Sequence, residues 1–262
     1  MTIARPFRRT CRPFADGGYD GAGRWIYLLH PRFALEPRHY VQGFLLLQKD
    51  LLELFDYIEP AEANLPTYSH RVHQLLMRTC VEIEANLTAI LLENCYVKKG
   101  GRDLTMSDYK LINFSHRLSS FEVKLPLWRG PDRILRPFAP WASTDTALPW
   151  YRAYNESKHD RHASFHLANF ESLLDSMCAL TALLSAQFCV ETFSPGGKPL
   201  MTRQYGSSAQ DGMINTIGDY FRIRFPTDWP EAERYDFPWA ELDALDDPFA
   251  NFDYSAIKLL HA

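Results

Sequence analysis

Apolar side chains recur every three to four residues over much of the stretch from His39 to Val190, and that period predicts helices. Across residues 39–58, Val41, Phe44, Leu45, Leu47, Leu51, Leu52, Leu54, Phe55 and Ile58 keep this spacing until Pro60 closes it. The longest clean pattern covers 67–96, where Val72, Leu75, Leu76, Thr79, Ile83, Asn86, Leu87, Ile90 and Leu91 form one stripe. A shorter helix is predicted over 104–118, capped by Thr105 or Ser107. Pro126, Pro131, Pro137 and Pro140 then exclude a helix. Residues 121–125 alternate instead, as do 220–225, and the two read as paired short strands. Pro149 sits at a first-turn position for a helix over 148–161. The next helix, 163–190, is apolar almost all round and belongs in the middle of a bundle.

The pattern therefore predicts a mainly α protein: a bundle of four to five helices over 37–190 with a small two-stranded β element. An irregular N-terminal arm, 1–36, precedes the bundle. A C-terminal extension, 191–262, is expected to pack on it as an irregular strap.

Composition narrows the class. With 46% hydrophobic and 23% charged residues, the 262-residue chain is neither a disordered nor a collagen-like protein. No run of 18 apolar residues is present to span a membrane, and the Arg-rich first 11 residues lack the apolar stretch of a secretory signal. The five cysteines are sparse, and Cys80, Cys95, Cys178 and Cys189 fall in apolar helical patterns. They read as small buried hydrophobes in a reducing cytoplasm.

Charge is placed unevenly. Residues 228–253 hold nine acids against Arg234 alone, a net of −8 that leaves the remainder of the chain at +4. The simplest reading makes both this segment and the Arg5, Arg8, Arg9, Arg12 head solvated surface. The acidic segment also carries Trp229, Tyr235, Phe237, Trp239, Phe249, Phe252 and Tyr254, which a disordered tail would lack. It is expected to dock on the body, its carboxylates meeting Arg222 and Arg224 or the head arginines.

The densest polar–aromatic stretch is 150–162. On a helix, Arg152, Asn155 and His159 lie at i, i+3 and i+7, and seven steps return to within about 20° of the start. An arginine so placed can hold a phosphodiester and stabilise its developing charge. A histidine can act as general acid or base. In RNA the 2′-hydroxyl supplies the nucleophile, so such a pair needs no metal or cofactor. Asn155 would orient the phosphate or fix the histidine tautomer. The alternative is a structural stripe that ties helix ends to the Pro-rich loop, or one that binds nucleotide, nucleic acid or protein without catalysis.

Arg152 and His159 with six residues between them, and the string Tyr154-Asn155-x-x-Lys158-His159-Asp160-Arg161 ahead of a long apolar helix, resemble the HEPN superfamily of helical bundles. The upstream Glu82-Ile-Glu84-Ala-Asn86 is similar to the helix that faces this one in such bundles. The resemblance covers about 37–190. It implies a helical bundle, often a homodimer, with RNA cleavage or nucleic-acid binding in defence or toxin settings. Arg152, Asn155 and His159 would then be the catalytic group, and Lys158, Arg161, Tyr154 and Glu82 its binding neighbours. Glu82, on the flank of its stripe, is expected to meet Arg152 or Lys158.

A lower alternative is a metal-dependent hydrolase using His70, His73, His159 and His162 with Glu82 or Glu84, although His70 and His73 fall at the solvated start of their helix. The Gly-rich stretch 16–24 lacks the preceding strand of a phosphate-cradling loop.

Overall fold

The computed structural model describes residues 2–19, 21–98, 100–101, 103–143, 147–193 and 211–257. Among them the chain forms α1 (Pro37–Phe55), α2 (His70–Glu93), α3 (Met106–Tyr109), α4 (Ile112–His116), α5 (Pro149–His159), α6 (Arg161–Ser164), α7 (Phe170–Phe188) and α8 (Trp239–Leu242). The strands are β1 (Glu122–Lys124), β2 (Ile134–Leu135), β3 (Ile214–Asn215) and β4 (Arg222–Arg224). The protein is mainly α with one small antiparallel sheet.

α7 is the centre. It packs on α1, α2 and α5, and every residue from Ser176 to Phe188 is buried. Two of its buried hydroxyls return to the helix's own carbonyls, Ser176 donating to Leu173 at 2.8 Å and Thr181 to Met177 at 2.8 Å, whereas Ser185 Oγ is buried without a hydrogen-bond partner among the described residues. α1 and α2 run antiparallel, with Gly43 against Glu82 and Asp50 paired to Arg78.

Helix starts were less predictable than helix faces. α2 begins at His70 rather than at 67 because Ser69 accepts from the Val72 N–H at 3.2 Å. α7 begins at Phe170, not 163. Asn169 caps it by accepting from Ser172 N–H at 3.0 Å, and the preceding turn is fixed by Phe170 N–H donating to Thr67 O at 2.8 Å. The predicted helix over 104–118 is two short ones. Thr105 and Asp108 form a capping box at the first, and Arg117, at φ 53°, stops the second.

The expected strand pair is present, with Glu122 opposite Arg224, Val123 opposite Ile223 and Lys124 opposite Arg222. Two further strands extend it to the order β2-β1-β4-β3. Each is two residues long, too short for a period to show.

The two chain ends depart most from a solvated reading. Arg9 and Arg12 are 0% and 1% exposed. The arm includes a 3-10 helix at Gly21–Leu29 and hydrogen-bonds into the core, with Cys11 N–H donating to Ala186 O at 2.8 Å. The strap docks, with Trp229, Tyr235, Phe237, Phe249 and Tyr254 buried. Both Ile3 and Phe14 bridge to Tyr235, and Phe7 bridges to Ala250. Its carboxylates meet the arm and the residue that ends α4: Asp247 pairs with Arg8, and Asp228 and Glu233 pair with Arg117 at 3.5 and 3.2 Å. They do not meet Arg222, which pairs with Asp211 at 3.0 Å, or Arg224, which pairs with Glu122. Those two arginines point across the sheet to acids already beside them.

Candidate functional site

α5 is oriented by its apolar side. Trp150, Ala153, Tyr154 and Ser157 are buried, and the Trp150 indole donates to Pro137 O at 3.0 Å, anchoring the helix to the Pro-rich loop. At 100° per residue this turns Arg152, Asn155, Glu156 and His159 outward. Arg152 and His159 are exposed and Asn155 is half-buried. His159, Asn155 and Glu156 line a shallow depression of about 410 Å³, completed by Asp160 and Ser164. Asp160 also accepts from Ala163 N–H at 3.1 Å, starting α6, whose last residue is Ser164.

The stripe predicted from the sequence is therefore assembled on an open face. Its His159 side chain makes no hydrogen bond to another described residue. Its Arg152 guanidinium donates to Glu156 Oε1 at 2.6 Å, and that carboxylate favours the charged guanidinium further. Glu156 is missing from the site as the sequence alone predicts it, although an acid four residues after an arginine on one helix is the signal for such a pair.

The neighbours assigned to the stripe divide. Tyr154 lies on the inner side. Its hydroxyl donates to Glu84 Oε2 at 3.4 Å and receives from Lys158 Nζ at 3.2 Å. The exposed Lys158 thus folds back over the Tyr154 ring, 5.0 Å from its centroid. Arg161 donates to His70 Nδ1 at 3.0 Å and lies over Phe165.

Glu82 does not reach α5, contrary to expectation. It faces α1, where a Cβ on Gly43 would meet its Oε2 at 3.0 Å. It makes no ion pair with a described residue, and burial pushes its carboxyl above the usual range, tempered by the more distant His39 and Arg78. The α2 carboxylate that meets α5 is Glu84, which accepts from Tyr151 at 2.7 Å. Burial, then the Glu84 charge, pushes the Tyr151 phenol up. Two residues along a helix are about 200° of rotation, so only one of Glu82 and Glu84 can face α5. Glu84 stands about 40° from Cys80, which is fully buried, and that proximity was the available signal.

The histidine set predicted as an alternative does not converge. His70 is turned to Arg161, and His73 packs on Phe165 with its imidazole pushed down by burial. Among the described residues no group of three or more His, Cys, Asp or Glu side chains is placed to hold a metal ion. Of the 16–24 stretch, residues 16–18 turn back on Phe14 and residues 21–24 begin the 3-10 helix, with Gly18 N–H and Arg24 both donating to the Asp16 carboxylate.

In comparisons with known proteins, no family model, curated protein or solved structure gives a significant match to this chain. No helix among the described residues is long and apolar enough to cross a membrane.

Proposed function

We propose that the outer face of α5 is a phosphodiester-binding surface of HEPN type that cleaves RNA without a metal. The observation that carries this is the common outward face of Arg152, Asn155 and His159, with His159 in a depression and no hydrogen bond from its imidazole to another described residue. Arg152 holds the phosphate and stabilises the charge that builds on its oxygens. His159 takes the proton of the 2′-hydroxyl as that oxygen attacks phosphorus, or returns a proton to the leaving 5′-oxygen. Asn155 orients the phosphate between them. Glu156 competes with the phosphate for Arg152, so substrate must displace an existing ion pair. The resemblance that motivates this reading also carries a homodimer.

A non-catalytic version of the same surface, binding RNA or a protein, is favoured by the Arg152–Glu156 pair, because it neutralises the cation that catalysis would use.

Incubation of end-labelled RNA with and without a chelator separates these. Cleavage that survives the chelator and falls about 10²-fold or more in His159→Ala supports the catalytic reading. Retention of RNA without cleavage, weakened in Arg152→Ala, supports the binding reading. RNA handling that is identical in the native chain and both variants removes α5 from the function altogether.

A further inference from the structure

A larger cavity lies away from α5. The C-terminal half of α1, the turn after it and the first turns of α2 enclose a cleft of about 580 Å³. That volume lies in the range of small-molecule sites. Its apolar lining comes from Leu54 and Leu75, both buried, and the half-buried Ile58. Tyr57, 86% exposed, stands at the lip. An exposed ring beside an apolar floor is a place for a flat guest to stack.

The polar groups of the cleft are sorted by end. Thr67, Ser69, Arg71 and Gln74 lie toward the start of α2. Asp50 and Arg78 lie further along, and Glu53 is level with about Leu75, because α1 and α2 are antiparallel. Arg78 pairs with Asp50, and Glu53 faces the exposed Lys49, outside the lining, at 3.9 Å. Arg71 is exposed and makes no hydrogen bond or ion pair with another described residue. The four charged side chains of the lining sum to zero, and Arg71 is the lining cation that has no partner among the described residues. At the other end, carboxylate oxygens remain as acceptors. Arg71 and Arg78 are seven residues apart, about 10 Å along the helix axis. One substituted ring with a hydrogen bond at each end spans that distance.

We propose that this cleft binds a small aromatic acid that carries a hydrogen-bond donor at the far end of its ring. The acid group pairs with Arg71, the ring stacks between Tyr57 and the Leu54–Ile58–Leu75 floor, and the donor reaches Asp50 or Glu53. The proposal does not rest on the α5 reading, since the cleft shares no lining residue with the α5 depression.

Isothermal titration of the full chain tests it with three probes: 4-hydroxyphenylacetate, phenylacetate and tyramine. The first should bind saturably. Phenylacetate lacks the ring donor and should bind more weakly by about tenfold or more, the worth of one hydrogen bond to a carboxylate. Tyramine replaces the acid with a cation and should not bind. Arg71→Gln, at an exposed position where the fold is not at stake, should weaken 4-hydroxyphenylacetate about tenfold or more. Ile58→Trp, which fills the cleft, should abolish binding while unfolding remains cooperative. No saturable binding of 4-hydroxyphenylacetate overturns the proposal. So does equal binding of tyramine, or affinity that is unchanged in Arg71→Gln.

Discussion

Arg9 and Arg12 lie beside His116 where the N-terminal arm crosses the C-terminal strap, whereas Arg152 and His159 stand on the outer face of α5. The residue types are the same and the physics is opposite. Every donor group of Arg9 is used: Nε to Glu93 at 2.7 Å, Nη1 to Gln187 at 2.8 Å and Nη2 to Leu35 O at 2.9 Å. Gln187 passes the network on to Asn86 at 3.1 Å. The Arg9 guanidinium also sits 4.5 Å from the Tyr40 ring centroid. Arg12 is enclosed by Phe7, Trp229 and Phe252 and donates to Ser115 O and Glu233 O, each at 3.1 Å. Burial pulls its guanidinium below the usual arginine range. A cation so enclosed is structure, because nothing from solvent can reach it. On α5 the same groups are exposed, and among the described residues only Glu156 stands between Arg152 and an incoming anion.

The sharpest way to break the contrast is to remove the buried cation. Arg9→Met leaves the Glu93 carboxylate and the Gln187 carbonyl without their partner. The expected loss is about 3–5 kcal/mol of stability, measured by urea unfolding. Adding Glu93→Gln should recover part of it, since no unpaired charge then remains. Full stability in Arg9→Met alone would mean that the arm is not integral to the fold.

His116 gives the next effect, and it is read by pH. Its Nε2–H donates to Arg9 O at 2.8 Å and its Nδ1 accepts from Ser115 Oγ at 2.6 Å, with Tyr254 hydrogen-bonded to the same hydroxyl at 2.8 Å. Both nitrogens are thus used by the neutral ring. Burial pushes its pKa down to about 3. The unfolded chain takes up this proton near pH 6.5 and the folded chain does not until about pH 3. Stability is therefore full above pH 6.5 and falls as pH drops through the window between. The slope is about 1.4 kcal/mol per pH unit, or about 2 kcal/mol lost by pH 5. In His116→Gln this contribution to the slope should vanish. An unchanged slope would mean that His116 does not carry it.

These two regions also differ in how far the sequence revealed them. The α5 stripe was legible because helical spacing converts directly into a shared face: Arg152, Asn155 and His159 needed only the 3.6-residue repeat. The strand pair 121–125 with 220–225 was legible for the same kind of reason, with a period of two. The strap's docking followed from its aromatics, which had to be buried. The burial of Arg9 and Arg12 was not legible. It depends on Glu93, Gln187 and Trp229 arriving from distant parts of the chain, and no local period encodes that. Glu82 failed similarly: helical spacing places it on the flank of α2, but which neighbour lies on that flank is a matter of bundle arrangement. The boundaries of α7 and the break between α3 and α4 were set by caps and tertiary hydrogen bonds, which compete with periodicity and here override it.

A smaller effect is expected from the ring that joins the two chain ends. The Tyr235 hydroxyl donates to Thr10 O at 2.8 Å and accepts from Phe7 N–H at 3.0 Å. Tyr235→Phe keeps the ring stacked among Phe14, Tyr27 and Phe237 but leaves both backbone groups without this partner. The cost should be about 1–3 kcal/mol by denaturant unfolding. Faster proteolysis after residue 228 should accompany it, because the hydroxyl is a direct tie between arm and strap. Loss of stability without any change in strap cleavage would place the effect in the core rather than at the seam.

The smallest effect on stability is expected on α5, and that is what makes the comparison useful. Arg152→Ala removes an exposed ion pair whose two long side chains give up rotamer freedom to make it, and solvent screens what remains. The unfolding midpoint should not move measurably. Glu156→Gln should behave alike in unfolding, yet the two should differ in binding. Glu156→Gln frees the guanidinium and should tighten retention of single-stranded RNA, with a steeper loss on raising salt. Arg152→Ala should weaken retention and flatten that dependence. Gel shifts over a salt series make the measurement. A midpoint that falls in Arg152→Ala, with RNA binding unaffected in both variants, would turn the stripe into structure and erase the distinction between α5 and the buried seam.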